Sequence, residues 1–302
     1  MSNVTEAYPG KEISTDQLKQ QLVNETEIKQ AKEAKFPTEI VDLPSKGLLY
    51  PEGHPLRSGK VEMKYMTAKE EDILTSQNLI QKGVVIDLLL QSLLISNGEG
   101  KRVQYSDLVL GDKNAIMVAA RILGYGADYS VEIACTKCST KQAETIDLAS
   151  LENKEVPEST TGNIFEYILP LSKKTLTYKL LTHGDEENVV NESKRMKKRS
   201  LDKLQSYDLT SRLKQIITAV DGDDDKANIN SFIENQFISR DSLSFRKELE
   251  RITPDVDMKI HFECDNCGHQ DSIDLPMTVD FFWPRVWSQA HSTQTDIWDP
   301  VS

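Results

Sequence analysis

The chain has little cysteine, little tryptophan and no long apolar run. These shortages limit the classes of protein to which it can belong. Only four of its 302 residues are cysteines and three are tryptophans. No run approaches the roughly 20 apolar residues that span a bilayer, because Asp87 and Gln91 interrupt the longest one, residues 83–95, at helical spacing. That run predicts a buried amphipathic helix, and we expect no membrane span.

Recognisable catalytic motifs are also missing. The sequence has no Gly-x-Ser-x-Gly elbow, phosphate loop, dinucleotide fingerprint or His-Glu-x-x-His helix. Its histidines are scattered and form no recognisable constellation with carboxylates or a nucleophile; they are His54, His183, His261, His269 and His291. We therefore expect no catalytic residues, no small-molecule substrate and no enzymatic activity.

Basic residues are outnumbered as well: the chain has 36 lysines and arginines against 48 aspartates and glutamates, so its formal net charge is −12. This balance argues against broad electrostatic binding of DNA or of an anionic membrane. Polar residues follow Met1, so we expect no secretory signal. Cysteines in Cys-x-x-Cys pairs without such a signal suit a reducing cytoplasm. We expect an intracellular protein.

All the cysteines fall in two Cys-x-x-Cys pairs, Cys135/Cys138 and Cys264/Cys267, in matching surroundings. An alternating apolar segment precedes each pair, and a polar turn and the tripeptide Ile-Asp-Leu, at 146–148 and 273–275, follow it. Strand, Cys-x-x-Cys, strand is the pattern of a zinc knuckle, and two knuckles complete one tetrahedral Cys₄ site. The sequence predicts one structural Zn²⁺ per chain, bound by these cysteines.

Other uses of the cysteines fit the pattern less well. A thioredoxin-like redox pair has a helix directly after Cys-x-x-Cys, whereas residues 141–148 and 270–275 have strand patterns. Two separate incomplete sites, or sites completed by a partner chain, stay open. His269 could replace a ligand, although we expect an exposed turn histidine there.

The spacing of the pairs predicts an insertion. There are 125 residues between Cys138 and Cys264, whereas ordinary zinc ribbons separate their pairs by about 15–20. We expect a hairpin, 164–169 with 175–181, followed by helices from about 185 to 251. Breaks are expected near Tyr207 and at 221–225. The pattern predicts Ser239 or Asp241 as the cap of the last helix.

Before the first pair, the sequence predicts an extended strap at 40–51 with a turn at 45–47, and a strand at 61–66. A capping box at 67–70 predicts a helix to about residue 77. Further helices are expected at 84–95 and at 113–123, the latter capped by Asp112 and closed by Gly124 and Gly126.

The predicted fold class is α+β, a helical cluster plus a split Cys₄ zinc-ribbon module with an inserted β-hairpin and helical bundle. Its expected parts are a flexible N-terminal arm at 1–35, a strap and helical region at 36–127, the split zinc-ribbon module at 128–287, and a C-terminal tail at 288–302.

Two charged runs have ordinary interpretations. The acidic run 221–226 fails as a calcium loop, because its sixth position is Lys226 and its twelfth is Phe232. We expect a solvated interhelical loop. The basic run 194–199 is typical of a solvated helix face or of a contact for an acidic partner, and nucleic acid is not an expected ligand.

Aromatic residues are concentrated at the end of the chain. All three tryptophans lie in the last twenty residues. We expect residues 281–283 to pack in the core and Trp287 and Trp298 to act as interface anchors, because large aromatics among polar residues are typical of interfaces.

Several segments together carry a family resemblance. They are VDLPSKGLLYP at 41–51, KEEDIL at 69–74, GDKNAI at 111–116, ARILGYG at 120–126, Arg240-Asp241, TPDVD at 253–257 and, after the second knuckle, FFWP at 281–284. In this order, over about residues 36–287, they resemble the T4-type phage baseplate family, described as baseplate hub subunits of contractile-tailed bacteriophages.

The resemblance implies a structural or assembly role in the tail baseplate, with no enzymatic activity. Its implied partners are other baseplate hub and tail proteins, and its implied locations are the host cytoplasm during assembly and the virion tail. Homo-oligomer formation is left open. The alternative is an intracellular zinc-ribbon adaptor of nucleic-acid machinery that uses the basic run, which salt-sensitive binding would reveal.

Overall fold

The structure, a computed structural model, describes residues 37–199, 208–275 and 279–282. The chain divides into two units, and the elements below belong to the second, Thr38–Ser302. Helices and several small antiparallel sheets make up this unit, which confirms the α+β class. The predicted arm at 1–35 and tail at 288–302 lie outside the described residues.

The first sheet joins the strap to the first helices. It has the strand order β1 (Thr38–Asp42), β2 (Lys60–Lys64), β3 (Leu94–Ser96). Turns follow β1, as predicted for the strap, and Gly47 has a φ of 75°. A Cβ at Gly47 would lie 2.3 Å from the carbonyl oxygen of Arg57, so both the backbone angle and the packing require glycine.

Three short helices follow β2: α1 (Ala68–Thr75), α2 (Gln77–Lys82) and α3 (Val85–Leu93). The predicted capping box is present, and the backbone N–H of Thr67 donates to the Glu70 carboxylate over 3.0 Å. Helix α2 was not expected from the sequence. Helix α3 buries one apolar stripe but leaves Leu88 exposed, so it is less buried than the sequence indicates.

Helix α4 (Leu110–Tyr125) begins earlier than predicted, after Val109. The prediction that Asp112 caps it is wrong, because Asp112 is the third residue of the helix and its fully buried carboxylate binds the strap instead. The helix also ends two residues later than predicted, because Gly124 lies within it. Only the prediction for Gly126 is confirmed, since it follows the last helical residue with a φ of 85°.

Two hairpins carry the cysteine pairs. The first consists of β4 (Asp128–Ala134) and β5 (Lys141–Asp147), and the second of β11 (Lys259–Glu263) and β12 (Gln270–Asp274). Between the base of the first and the base of the second, β6 (Asn153–Lys154) pairs with β10 (Asp255–Val256).

Between the hairpins, residues 153–199 and 208–258 form a three-stranded sheet and four α-helices, besides the pair β6 and β10. The strand order is β7 (Phe165–Ile168), β8 (Thr175–Tyr178), β9 (Ile217–Val220). The helices are α5 (His183–Arg199), α6 (Asp208–Ile216), α7 (Lys226–Asn235) and α8 (Ser239–Ile252). The predicted hairpin is confirmed.

Two predictions for this segment are wrong. Residues 217–220 were expected to be helical but form β9, in which Ile217, Ala219 and Val220 pair with β8. Isoleucine, threonine and valine in this segment favour a strand. Neither Ser239 nor Asp241 caps α8, whose N-cap is Ile238. Asp241 is buried and accepts hydrogen bonds from the backbone N–H groups of Leu171 and Ser172, at 2.9 and 3.0 Å.

The main core draws on both sides of the predicted boundary at residues 127 and 128. Its buried members include Leu89, Ile116, Leu176, Phe245 and Phe281. The boundary itself stays a prediction. None of the helices in the described ranges combines the length and the apolar character needed to cross a membrane.

Candidate metal centre

The two Cys-x-x-Cys turns have the same backbone geometry. In the first, the N–H of Cys135 donates to the carbonyl of Thr140 over 2.9 Å, and the N–H of Ser139 donates back to the carbonyl of Cys135 over 2.9 Å. In the second turn, the N–H of Cys264 donates to the carbonyl of His269 over 2.9 Å, and the N–H of Gly268 donates to the carbonyl of Cys264 over 2.8 Å. Each hairpin therefore presents its two thiols from an equivalent tight turn.

The residue after the second cysteine of each pair is left-handed. Ser139 has a φ of 58° and Gly268 a φ of 63°. Glycine adopts this conformation without strain, whereas a non-glycine residue is uncommon there. Ser139 in the first turn therefore adopts the left-handed conformation that Gly268 adopts without strain in the second.

The hairpins differ in length, and the repeated tripeptide marks their bases. Strand β4 has seven residues and β11 has five. The leucine of each tripeptide closes its hairpin: the N–H of Leu148 donates to the carbonyl of Ala127 over 3.0 Å, and that of Leu275 to Met258 over 2.9 Å. Both leucines are buried. The repeat thus fixes where each hairpin enters the core.

The four thiols converge on one point between the hairpins. All four Sγ atoms lie within 4.8 Å of one another. The Sγ atoms of Cys135 and Cys267 are 3.7 Å apart, and those of Cys138 and Cys264 are 3.6 Å apart. A tetrahedral ion with metal–sulfur bonds of about 2.3 Å places its ligands about 3.8 Å apart. The cluster therefore fits one tetrahedral metal ion.

A small apolar cluster supports the inner thiols. Cys135 and Cys264 are buried with Ile133 and Phe262, apart from the main core. Cys138 is half-buried and Cys267 is exposed. Two of the thiols are therefore fixed by packing, while the other two lie toward solvent.

Hydrogen bonds act differently on the two outer thiols. The hydroxyl of Thr140, 3.3 Å from Sγ, together with the Thr140 N–H and the Asn266 amide, lowers the pKa of Cys138 to about 5. The backbone N–H of His269 also acts to lower the pKa of Cys267. Desolvation and the three neighbouring thiols outweigh it and raise that pKa to about 12. Metal binding to thiols such as these releases protons.

Polar contacts also join the hairpins. The amide of Gln142 donates to the carbonyl of Glu263 over 3.1 Å, and its oxygen accepts from the N–H of Asp265 over 2.9 Å. His269 shares a hydrogen bond of 3.1 Å with the Thr136 hydroxyl. In the described part of the chain, the group of residues able to hold a metal contains the cysteines and not His269.

The charged runs make local contacts. Asp225 caps α7 by accepting from the N–H of Asn228 over 3.2 Å, and Asp221 accepts from the N–H of Thr175 over 2.8 Å. The acidic run is exposed, as predicted, but it lies between β9 and α7 and not between two helices. In the basic run, Lys194 and Arg195 are exposed; the side chains of residues 197–199 lie outside the described part.

Two of the histidines lie near carboxylates, which the sequence did not indicate. His183 is buried, with its Nε2 3.9 Å from the Asp87 carboxylate, and His54 lies 3.2 Å from Asp107. No sequence signal could have found the first pair, because its members are on different helices far apart in the chain. His291 lies outside the described residues.

The aromatic tail is described only at its start. Phe281 and Phe282 are fully buried, as predicted. The Nε–H of Arg121 donates to the backbone carbonyl of Phe281 over 2.9 Å. The predicted positions of Trp283 in the core, and of Trp287 and Trp298 at interfaces, fall outside the described residues.

Several of the segments that carried the family resemblance meet at α4. Asp112 binds Ser45 of the strap. Gly111 leaves no room for a Cβ, which would lie 1.7 Å from the carbonyl oxygen of Pro254. The amide of Asn114 donates to Asp255 over 2.9 Å. Segments far apart in sequence are therefore held together by one helix.

A family model described as T4 bacteriophage base plate protein matches residues 37–283. The chain belongs to this family. The predicted resemblance is thereby confirmed over most of the chain. Membership implies a structural role in the phage baseplate and a location in the virion tail, with partners among the tail proteins. No match was found among curated proteins or among solved structures.

Proposed function

We propose that this base plate protein is an assembly component of the baseplate hub, stabilised by one structural zinc ion. It would act through contacts with other hub and tail proteins, first in the host cytoplasm during assembly and then in the virion. The observation that carries the proposal is the family match over residues 37–283. The cysteine cluster supports the assignment of a structural metal ion.

Zinc is the metal that the donor set favours. Four thiolates in a tetrahedral arrangement suit zinc or an iron–sulfur centre, and two Cys-x-x-Cys turns are typical of structural zinc. The ligands would be Cys135, Cys138, Cys264 and Cys267, whose sulfurs lie within 4.8 Å of one another. With all four positions occupied by protein, such an ion has no open site for substrate, which fits a structural role.

The zinc would fasten two hairpins that have few other contacts. Their shared apolar cluster is small, whereas structural zinc supplies about 10 kcal/mol or more of apparent binding energy. The buried residues that join the hairpins to the main core lie near the hairpin bases: Tyr129 and Leu148 in the first, and Leu275 in the second. Joining the hairpin ends would fix the start and the end of the inserted segment relative to each other.

Metal analysis of the purified protein tests the zinc assignment. We expect one zinc and no iron per chain, with zinc loss in Cys264→Ser. Asp265→Ser, in the same turn, is the matched control and should retain the metal. Wild-type protein that stays folded and metal-free, even after zinc is supplied, would contradict the assignment.

A tagged pull-down from infected cells, with nuclease added, tests the assembly role. Recovery of hub and tail proteins regardless of nuclease would support it and identify the contacting subunits. Recovery of peripheral baseplate proteins without hub proteins would retain the family role and exclude the hub. Recovery of polymerase or helicase components, lost with nuclease, would favour the adaptor alternative.

Reversal of Lys194 and Arg195 to glutamate separates these outcomes further, since both are exposed. If partners bind through the basic run, the double variant should lose them and wild-type binding should weaken steeply with salt. In the hub assignment, the same tail proteins should be recovered with the variant.

A further inference from the structure

A buried polar cluster attaches the beginning of α5 to the helices before it. His183, the first residue of α5, is 4% exposed, and its backbone N–H donates to the carbonyl of Leu108 over 2.8 Å. Its imidazole Nδ1 lies 3.3 Å from Nζ of Lys113 on α4. The same Nζ lies 2.7 Å from the carboxylate of Asp87 on α3.

The contact with lysine determines where the imidazole proton lies. An ammonium group only donates hydrogen bonds, so Nδ1 of His183 must accept from Lys113 with its lone pair. The ring is therefore neutral and carries its proton on Nε2. Because Nε2 is protonated, it cannot bind a metal ion, and the cluster is not a second metal site.

The protonated Nε2 has no hydrogen-bond partner among the described residues. The nearest carboxylates are those of Glu187 and Asp87, at 3.8 and 3.9 Å. Both distances are too long for a hydrogen bond. A buried donor without a partner is costly, so the Nε2 side of the ring contributes no hydrogen bond to the attachment of α5.

Each element around the ring contributes charged or aromatic groups. Helix α3 contributes Asp87 and α4 contributes Lys113, while the Tyr105 ring lies 4.5 Å from the imidazole, centroid to centroid. Helix α5 itself contributes Glu186 and Glu187, and Glu186 is paired with Arg212 of α6. Desolvation, followed by the charge of Lys113, lowers the pKa of His183 despite these carboxylates.

We propose that His183 is an acid-sensitive latch, which holds the first turn of α5 against α3 and α4 when neutral and releases it when protonated. A second proton must go on Nδ1, the atom that accepts from Lys113. The new N–H would then point at an ammonium group 3.3 Å away. The hydrogen bond becomes a repulsion between two cations, which movement of α5 away from Lys113 would relieve.

The direction of the pH effect follows from the pKa. A histidine whose folded pKa lies below its unfolded value of about 6.5 binds more protons when released. Its contribution to the attachment is therefore complete above about pH 6.5, is lost as the pH falls toward the folded pKa, and changes no further below it.

Hydrogen–deuterium exchange of the full-length, metal-loaded protein tests the latch. Between about pH 7.5 and about pH 5, after correction for intrinsic rates, the first turns of α5 should lose protection by about tenfold for each unit of pKa shift. Peptides from α7 and α8 should keep theirs. His183→Gln retains an acceptor for Lys113 but does not titrate, so its α5 protection should not change with pH.

Two controls make the outcome decisive. His261→Gln, at an exposed position on β11, should retain the wild-type response. Metal loss at low pH would deprotect the two hairpins in all variants, which distinguishes it from the latch. Unchanged α5 protection in the wild type, or a full response in His183→Gln, would overturn the proposal.

If His183→Gln does not fold, the wild-type protein still provides a test. Exchange at the imidazole carbon reports each histidine's pKa. The latch requires the pKa of His183 to lie below about 6.5, the value of an unperturbed histidine, and an equal or higher value would overturn it.

Discussion

The carboxylate of Asp112 binds Ser45 twice, accepting from its backbone N–H over 2.9 Å and from its hydroxyl over 2.7 Å. The Tyr50 hydroxyl donates to the same carboxylate over 2.7 Å and accepts from the N–H of Val109 over 3.0 Å. One side chain on α4 thus holds the strap at two points, its middle and its second half. Burial raises the pKa of Asp112 above its usual value. Burial, together with the negative charge of Asp112, raises the pKa of Tyr50 well above its usual value.

Asp112→Ala should lower the free energy of unfolding by about 3 kcal/mol, because it leaves buried donors of Ser45 and Tyr50 unpaired. Asp112→Asn should cost less, since its amide retains one acceptor. Urea unfolding measures both. Asp72→Ala, at an exposed position of α1, is the control and should stay within about 0.5 kcal/mol of wild type. An equal, small effect of all three would show that the strap does not depend on this carboxylate.

Asp112 and Asp241 should affect the pH dependence of stability in opposite directions. Desolvation acts to raise the pKa of Asp241, but the N–H groups of Leu171 and Ser172 outweigh it and lower that pKa. Its stabilisation should be complete above its unfolded pKa of about 4 and be lost as the pH falls. The pKa of Asp112 is raised, so its contribution should be largest at acid pH and decline as the pH rises through its folded pKa.

Unfolding of the wild type, Asp112→Asn and Asp241→Asn across acid to neutral pH measures this contrast. The deficit of Asp241→Asn should shrink toward low pH, whereas that of Asp112→Asn should grow. Deficits that change in the same direction would contradict the two opposite pKa shifts.

Gly111→Ala should be severely destabilising, by about 3 kcal/mol or more, because its Cβ would lie 1.7 Å from the rigid carbonyl oxygen of Pro254. Gly184→Ala is the matched comparison in α5. Its Cβ would approach the carbonyl oxygen of Ser106 to 3.3 Å, so a small shift can accommodate it and helix propensity partly offsets the cost. Thermal unfolding compares them, and similar losses would show that α4 can move away from Pro254.

Cys135→Ser should lower the stability of the hairpins far more than Ser139→Ala in the same turn. The thiol of Cys135 is buried with Phe262, and losing one of four zinc ligands would remove much of the roughly 10 kcal/mol that such a site supplies. Chelator titration followed by circular dichroism should unfold the wild type at a higher chelator concentration than the variant. Equal resistance would mean that the hairpins do not depend on metal.

Features determined by neighbouring residues could be predicted from the sequence. The capping box at Thr67 and Glu70 needs only residues three positions apart, and the two knuckles have signatures within single turns. The convergence of the cysteines was predictable because Cys-x-x-Cys turns hold metal in pairs. The equivalence of the two Ile-Asp-Leu segments became clear only from hairpin pairing, because the hairpins have different lengths.

Features determined by distant residues could not be predicted in the same way. Asp112 and Asp241 precede apolar helical patterns and therefore resemble caps, but each is the third residue of its helix. Their partners lie 67 and 70 residues away, and local propensity contains no information on them. Strand β9 was missed for a related reason, since its pairing with β8 outweighs the helical pattern on both sides.

The cysteine cluster also has a mechanical consequence. The 125 residues between Cys138 and Cys264 would form a closed loop once a metal ion joins the two hairpin tips. A pulling force applied to the two ends of the chain would then pass through the metal–sulfur bonds and bypass β7 to β9 and α5 to α8. Under tension the hairpins would bear the load, and the inserted segment would remain folded until the cluster broke.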